Sequence, residues 1–251
     1  MSRILSFFSD LEPRLFFLVA ALLGGLGFLF VTPPFQVPDE PAHFYRAYAV
    51  SEGQFLMAGG NGTNSRPLPA SLKTLVEILV DDVPFHPERR IQPGTWKRAR
   101  EVRLQPEEVE SSSPPRSLQY SAVPYLPQAA GIAVGRWIGA SPLALVYFAR
   151  AANLIAAVGL IYFAICQLPG YRWLAVLLAL TPMAMFLRSS VSADAGITAI
   201  AYLLTATFAK IAFRAVPLHG RWDVGLLVVL SVSLCLTKPV YFPLVLAAFV
   251  I

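Results

Sequence analysis

The stretch from Val31 to Tyr48, VTPPFQVPDEPAHFYRAY, decides how the rest of the chain is read. It begins where an uncharged apolar run ends. That run, from about Leu15 to Val31, is long enough to cross a bilayer as a helix. Pro33, Pro34, Pro38 and Pro41 then stop the helix, and they are expected to hold the backbone extended through the adjacent carboxylates Asp39 and Glu40. His43 follows close behind. Past Pro41, the spacing of Phe44, Tyr45 and Tyr48 predicts a short helix lying along the membrane, its aromatics at headgroup depth. A carboxylate pair held stiffly at a membrane surface is an unusual thing to build for packing alone.

Composition points the same way. Of 251 residues, 56% are hydrophobic and 14% charged, with a mean hydropathy of +0.59. A soluble domain carries about a quarter charged residues, so the chain is expected to be an all-α integral membrane protein, a multi-span helical bundle. Eleven of the fifteen acids and ten of the twenty Lys and Arg lie between Asp39 and Arg116, so one large polar loop separates two apolar parts. After Ser117 the acids are Asp194 and Asp223. The net charge of +5 therefore reflects basic residues flanking spans and not a nucleic-acid surface. Cys166 and Cys235 fall in apolar segments, too few for a disulfide framework or a metal site.

Three regions follow. Residues 1–32 form a cytoplasmic interfacial segment and the first transmembrane helix, whose apolar core is longer than a signal peptide's and lacks a small-residue cleavage pattern. The cluster Gly24, Gly25 and Gly27 inside it marks a close helix-packing face. Residues 33–141 form a large extracytoplasmic loop with juxtamembrane helices. In it Ser71 to Val80 is predicted to be an amphipathic helix with Ser71 as cap, and Phe85 to Glu110 an irregular or hairpin surface segment. The run Lys97-Arg98-Ala99-Arg100 faces solvent or anionic lipid. Residues 142–251 hold further spans, at about 142–166, 172–187, 195–214, 223–237 and 242–251 onward. The last stops inside an apolar run, which predicts that a longer protein continues beyond it.

Charge asymmetry sets the orientation. Reading Tyr120 to Gly139 as a membrane-skimming helix leaves Arg172 in a short cytoplasmic turn and the basic loop Lys210 to Arg221 inside. Counting it as a span would invert both. With the N-terminus inside a multi-pass cytoplasmic (inner) membrane, Asp39, Glu40, Asp194 and Lys238 all converge on the extracytoplasmic face.

Each of these residues has an ordinary use and a chemical one. Asp39 and Glu40 are acids at a helix start, which the macrodipole favours, or a base with a helper. His43 is an interfacial aromatic or shares their proton. Asp194 caps or opens a helix, or belongs to the same site. Arg150 lies inside a span, where a charge is paired, functional or snorkelling. Asp39, Glu40, His43 and Asp194 are thus the catalytic candidates. Arg116, Arg150, Arg188, Lys238 and Tyr241 are the candidates for holding a lipid phosphate. The acids are hard oxygen ligands suited to Mg²⁺ or Mn²⁺, although nothing in the sequence requires a metal.

The series Pro38-Asp39-Glu40 with His43, Tyr120-x4-Tyr125-x-Pro127, Arg150-x2-Asn153, Ser189-x-x-Ser192-x-Asp194 and Lys238-x-x-Tyr241-x-Pro243 resembles the DUF2142 family of bacterial multi-span membrane proteins. That family is similar to the GT-C glycosyltransferases, which place an acid in the first extracytoplasmic loop and often another after the third span. Asp39 and Asp194 stand at those two places. The resemblance implies a GT-C-like bundle that takes a sugar from a polyprenyl-phosphate donor in the bilayer and passes it to a glycan or lipid acceptor of the cell envelope. A lipid or polysaccharide transporter (a flippase) and a non-catalytic membrane scaffold are the competing readings. A transporter favours midplane charges and internal repeats, and no repeat is visible here.

Cysteine labelling tests the orientation. In a background lacking the native thiols, a membrane-impermeant reagent added outside is expected to label Gly60→Cys and to leave Gly220→Cys unlabelled. The opposite pattern overturns the sidedness.

Overall fold

The computed structural model describes residues 12–56, 68–80, 88–109, 121–213 and 221–247. Among these residues the fold is helical without strands, and an isolated antiparallel bridge joins Pro69 to Val109. Helix α1 covers Pro13–Val31, α2 Glu40–Ser51, α3 Ala70–Val80 and α4 Pro93–Glu101. A short 3₁₀ turn at Val123–Tyr125 leads into α5, Leu126–Trp137, followed by α6, Pro142–Gln167. Then come α7 at Arg172–Ala179, α8 at Pro182–Arg188, α9 at Ala193–Phe213, α10 at Arg221–Thr237 and α11 at Phe242–Ala247. Helices α1, α6 and α9 are long and apolar enough to cross a membrane, and α10 is a shorter apolar helix.

Helix α6 is the centre of the bundle, flanked by α1, α5 and α9. Its start is set by Ser141, whose Oγ accepts from Ala144 N, and by Pro142 at the first helical position. Helix α1 has two apolar faces. Phe17, Ala21, Gly25 and Leu29 recur every four residues and are buried, whereas Leu15, Val19, Leu23, Leu26 and Phe30 are exposed. In lipid an exposed apolar face costs nothing, so packing closeness decides the buried one. A Cβ at Gly25 would stand 2.5 Å from Leu154 Cδ1 of α6 and one at Gly24 2.9 Å from Met185 Sδ, so these two glycines are a packing face, whereas Gly27 is exposed with open space around it. A Cβ at Gly131 of α5 would stand 2.4 Å from the Phe148 carbonyl oxygen, so α5 lies directly on the α6 backbone. With twelve residues, α5 is about 18 Å long, too short to cross.

Several sequence expectations change here. The segment 172–187 is two helices, because Pro182 has no N–H to donate and drives Thr181 to an extended ψ of 142°. Phe85–Glu110 contains the helix α4, with Ala99 buried against the core. Ser71 does not cap α3; its Oγ accepts from Gln105 N at 3.3 Å and ties that helix to the strand-like return after α4. Phe44 and Tyr48 point into the protein, fully buried, and Phe44 packs on Phe35 with centroids 5.7 Å apart. They are core aromatics and not a headgroup belt.

The prolines also do something other than hold an extended chain. Phe35 and Asp39 are both left-handed, at φ 66° and φ 59°, so the link from α1 to α2 is a pair of tight turns. A left-handed Phe is costly, about 1–3 kcal/mol, and persists where neighbours over-determine it. The neighbour is Glu40. Its Oε2 accepts from Phe35 N at 2.7 Å and from Arg150 Nη2 at 2.7 Å; its Oε1 accepts from Arg150 Nε at 2.8 Å and from Val191 N at 2.9 Å. Arg150 also donates to the carbonyls of Leu29, Thr32 and Pro33. All five guanidinium N–H groups are thereby used, and both side chains are fully buried. One ion pair thus ties the end of α1, the start of α2, the middle of α6 and the α8–α9 link.

Removing one partner leaves the other charged and buried, at a cost of about 3–5 kcal/mol. Arg150→Met is expected to lose that much unfolding free energy in detergent, measured by chemical denaturation. Asp39→Asn, one residue from Glu40, is expected to stay within about 1 kcal/mol of wild type. Equal losses in the two variants contradict this division.

Candidate functional site

The first turn of α2 sends two neighbouring carboxylates to different places. Glu40 is buried in the ion pair, and Asp39 is exposed. Asp39 occupies the N-cap position of α2, where an acid ordinarily accepts a backbone N–H, yet its side chain makes no capping bond. Its carbonyl accepts the ordinary first helical bond, from His43 N at 3.0 Å, while its backbone is left-handed. The carboxylate is therefore not consumed by the helix it precedes.

A parallel arrangement opens α9. Ser192 Oγ accepts from Asp194 N at 3.2 Å, which meets the capping need and leaves the Asp194 carboxylate for Lys238, at the end of α10. The link before it is held from outside: Asn153 Nδ2 donates to Ser190 O, and Gln128 Nε2 donates to Asn153 Oδ1 and Ser192 O. These buried amides fix where Asp194 emerges. Asp39, His43, Tyr125, Asp194 and Lys238 then line one cavity of about 120 Å³, floored by Pro124 and Ile197. It sits at the end of the bundle where α1 finishes and α6 and α9 begin.

Inside the cavity His43 Nδ1 and the Tyr125 hydroxyl are 2.7 Å apart in a hydrogen bond. Burial pushes the His43 imidazole below its ordinary value, with Lys238 adding to that, while Asp194 and Asp39 pull the other way. The result is a neutral imidazole at physiological pH, able to take or pass a proton. The Lys238–Asp194 pair is nearly half exposed, which makes it worth no more than about 1 kcal/mol. Such a pair exchanges partners at little cost.

Of the residues singled out in the sequence, Asp39, His43, Asp194 and Lys238 meet here. Glu40 lies behind the wall, with all its lone-pair positions filled. Arg150 has no N–H left for a phosphate, so its place is in the scaffold. Arg188 is buried and donates from Nη2 to the Ala179 carbonyl, compensating the C-terminus of α7 at the Thr181–Pro182 break. Tyr241 lines a separate apolar groove with Leu178 and Tyr202. Arg116 falls outside the described residues. Tyr125 was not among the sequence candidates, although its motif, a tyrosine two residues before Pro127, was in view; Gln128 carried no signal, being one polar residue in an apolar run. Among the described residues no group of three or more His, Cys, Asp or Glu is placed to hold a metal ion.

A family model described as "Predicted membrane protein (DUF2142)" matches residues 22–251 of this chain. Comparisons with curated proteins and with solved structures each found no match.

The lowered His43 has a signed consequence. The unfolded chain takes up the proton first, near pH 6.5, so stability present above that value is lost as pH falls, until the folded imidazole also protonates. The Tm of the detergent-solubilised protein is expected to fall less in His43→Gln than in wild type as pH drops through 6.5. Parallel curves contradict a buried neutral imidazole.

Proposed function

The chain belongs to the DUF2142 family of membrane proteins, and from the groups lining the Asp39 cavity we propose that it is a membrane glycosyltransferase with a GT-C-like bundle. In this reading the sugar comes from a polyprenyl-phosphate donor in the bilayer and goes to a glycan or lipid acceptor of the cell envelope. The supporting observation is the meeting of Asp39 and His43 with Asp194 and Lys238 in one cavity, from three separate parts of the chain. The cavity faces outward if the N-terminus is cytoplasmic.

Glycosyl transfer needs a base for the acceptor proton and a cation for the departing phosphate. Asp39 takes the hydroxyl proton as the acceptor oxygen attacks the anomeric carbon. A new C–O bond forms, the bond from that carbon to the phosphate oxygen breaks, and the phosphate leaves with the electron pair. Lys238 turns from Asp194 to meet that charge, and the His43–Tyr125 pair receives or supplies the displaced proton. At about 120 Å³ the cavity holds the reacting ends of two substrates and not whole ligands, so the lipid chain lies along the helices.

A flippase or transporter is favoured by a different observation, the helix break between α7 and α8, beside the buried Arg188 whose Nε has no partner among the described residues. The two readings separate on turnover. Asp39→Asn is expected to slow transfer from native membrane lipid by roughly 10²–10⁴-fold at matched expression, with the protein still folded. Lys238→Gln is expected to raise KM for the lipid donor. Near wild-type transfer in Asp39→Asn removes it as the base and moves the carrier reading to first place. Mass spectrometry of co-purified lipid identifies the donor.

A further inference from the structure

A second cavity lies away from Asp39, between α4 and the loop-side end of α6. It is an open hollow of about 560 Å³ lined by Pro93, Trp96, Lys97, Arg100, Glu101 and Tyr147. The helix explains the lining. Ala99 is buried and fixes the rotation of α4, so Trp96 and Arg100, one turn apart, fall on the same side, and Lys97 and Glu101 flank them. Neither Lys97 nor Arg100 makes an ion pair or a hydrogen bond among the described residues. Both are exposed, and with Glu101 the lining carries one net positive charge.

The far wall reaches the membrane-facing surface. Tyr147 stacks on Phe30 of α1, with centroids 6.1 Å apart and planes at 24°. Phe30 is 69% exposed and Val31 80%, at the end of the apolar stripe that α1 turns away from the protein. Cations, a half-buried Trp and a Tyr at the end of a spanning helix are the chemistry of the headgroup layer. Trp96 and Tyr147 offer flat apolar walls for the glycerol region, while Lys97 and Arg100 offer up to eight N–H donors to phosphate oxygens.

We propose that this cavity binds the phosphate headgroup of an anionic membrane lipid, with Lys97 and Arg100 as its ligands and Trp96 against it. The site is distinct from the Asp39 cavity and shares no lining residue with it. It holds α4 down on the membrane end of α6, and so anchors the large loop beside the reaction centre by a lipid and not by protein contacts alone. Because it depends on no assigned reaction, its failure leaves the glycosyltransferase reading untouched.

Trp96 is a built-in reporter. With Trp137, Trp173 and Trp222 changed to Phe, the full chain is reconstituted in phosphatidylcholine vesicles containing a small fraction of brominated lipid. Brominated phosphatidylglycerol is expected to quench Trp96 as if enriched roughly fivefold over brominated phosphatidylcholine, the scale for one net cation near a charged surface. The preference is expected to vanish in Lys97→Gln/Arg100→Gln and to persist in Arg98→Gln, a neighbouring cation outside the lining. Added inorganic phosphate is expected to leave the quenching unchanged; if it abolishes the preference at the concentration of the lipid phosphate, the site takes free phosphate and the proposal fails. Equal quenching by the two lipids overturns it, and so does a preference that survives the double substitution. A Trp96 signal insensitive to lipid charge but shifted by a soluble polyuronate overturns it in favour of a glycan site.

Discussion

A buried Glu40–Arg150 pair is the constraint on which the rest of the bundle end depends. Taking two charges out of water costs several kcal/mol each, and the cost is met only where every donor and acceptor finds a partner. Here they do. The guanidinium takes two carboxylate oxygens and three carbonyls at the frayed end of α1, which a helix terminus must otherwise leave unsatisfied in apolar surroundings. The carboxylate takes the two amides that the turn at Phe35 and the link at Val191 would leave unpaired. Each side of the pair solves a backbone problem that the membrane creates.

Around that pair the same end of the bundle carries a layer of polar contacts, buried at Gln128 and Asn153 and half-buried at Arg136 and Glu52. Gln128 and Asn153 secure the α8–α9 link, and Arg136 bridges α5 to α2 through Glu52, at 2.6 Å, with its guanidinium over the Tyr48 ring. Apolar side chains slide past one another at little cost, whereas these bonds have one register. Polar groups in a low-dielectric interior specify arrangement in this way because leaving them unpaired is costly. The layer holds Asp39 and Asp194, from opposite parts of the chain, at a shared cavity without engaging either carboxylate in the scaffold. Adjacent residues Asp39 and Glu40 thus have separate roles, divided where the left-handed turn at Asp39 meets the first helical residue, Glu40.

Much of this was legible in the residues. The spans at α1, α6 and α9 follow from apolar runs of sufficient length with few charges, and the convergence of Asp39, Asp194 and Lys238 follows from alternating helix direction. What was not legible has physical causes. Arg150 reads as an ion-binding group because an isolated cation in a span is costly; only three-dimensional contact shows that Glu40, 110 residues away in sequence, already pairs it. The extended reading of the proline link failed because proline fixes its own φ and biases the residue before it, but says nothing of Phe35 and Asp39, whose left-handed turns are imposed by the Glu40 contacts. The break in 172–187 escapes a hydropathy reading, which counts apolar side chains and is blind to the missing N–H of Pro182. Tyr125 was hidden because its hydrogen bond to His43 joins residues 82 apart in the sequence.

The most direct measurement is a double-mutant cycle on unfolding free energy in detergent, using Glu40→Gln, Arg150→Met and the two combined. If the pair is the tie described, the double variant is less destabilised than the sum of the singles, with a coupling of about 0.5–3 kcal/mol, because each single substitution strands the opposite partner and the double strands neither. Additive losses, with no coupling beyond error, would mean that Glu40 and Arg150 act independently, and the separation of roles between Asp39 and Glu40 would lose its basis.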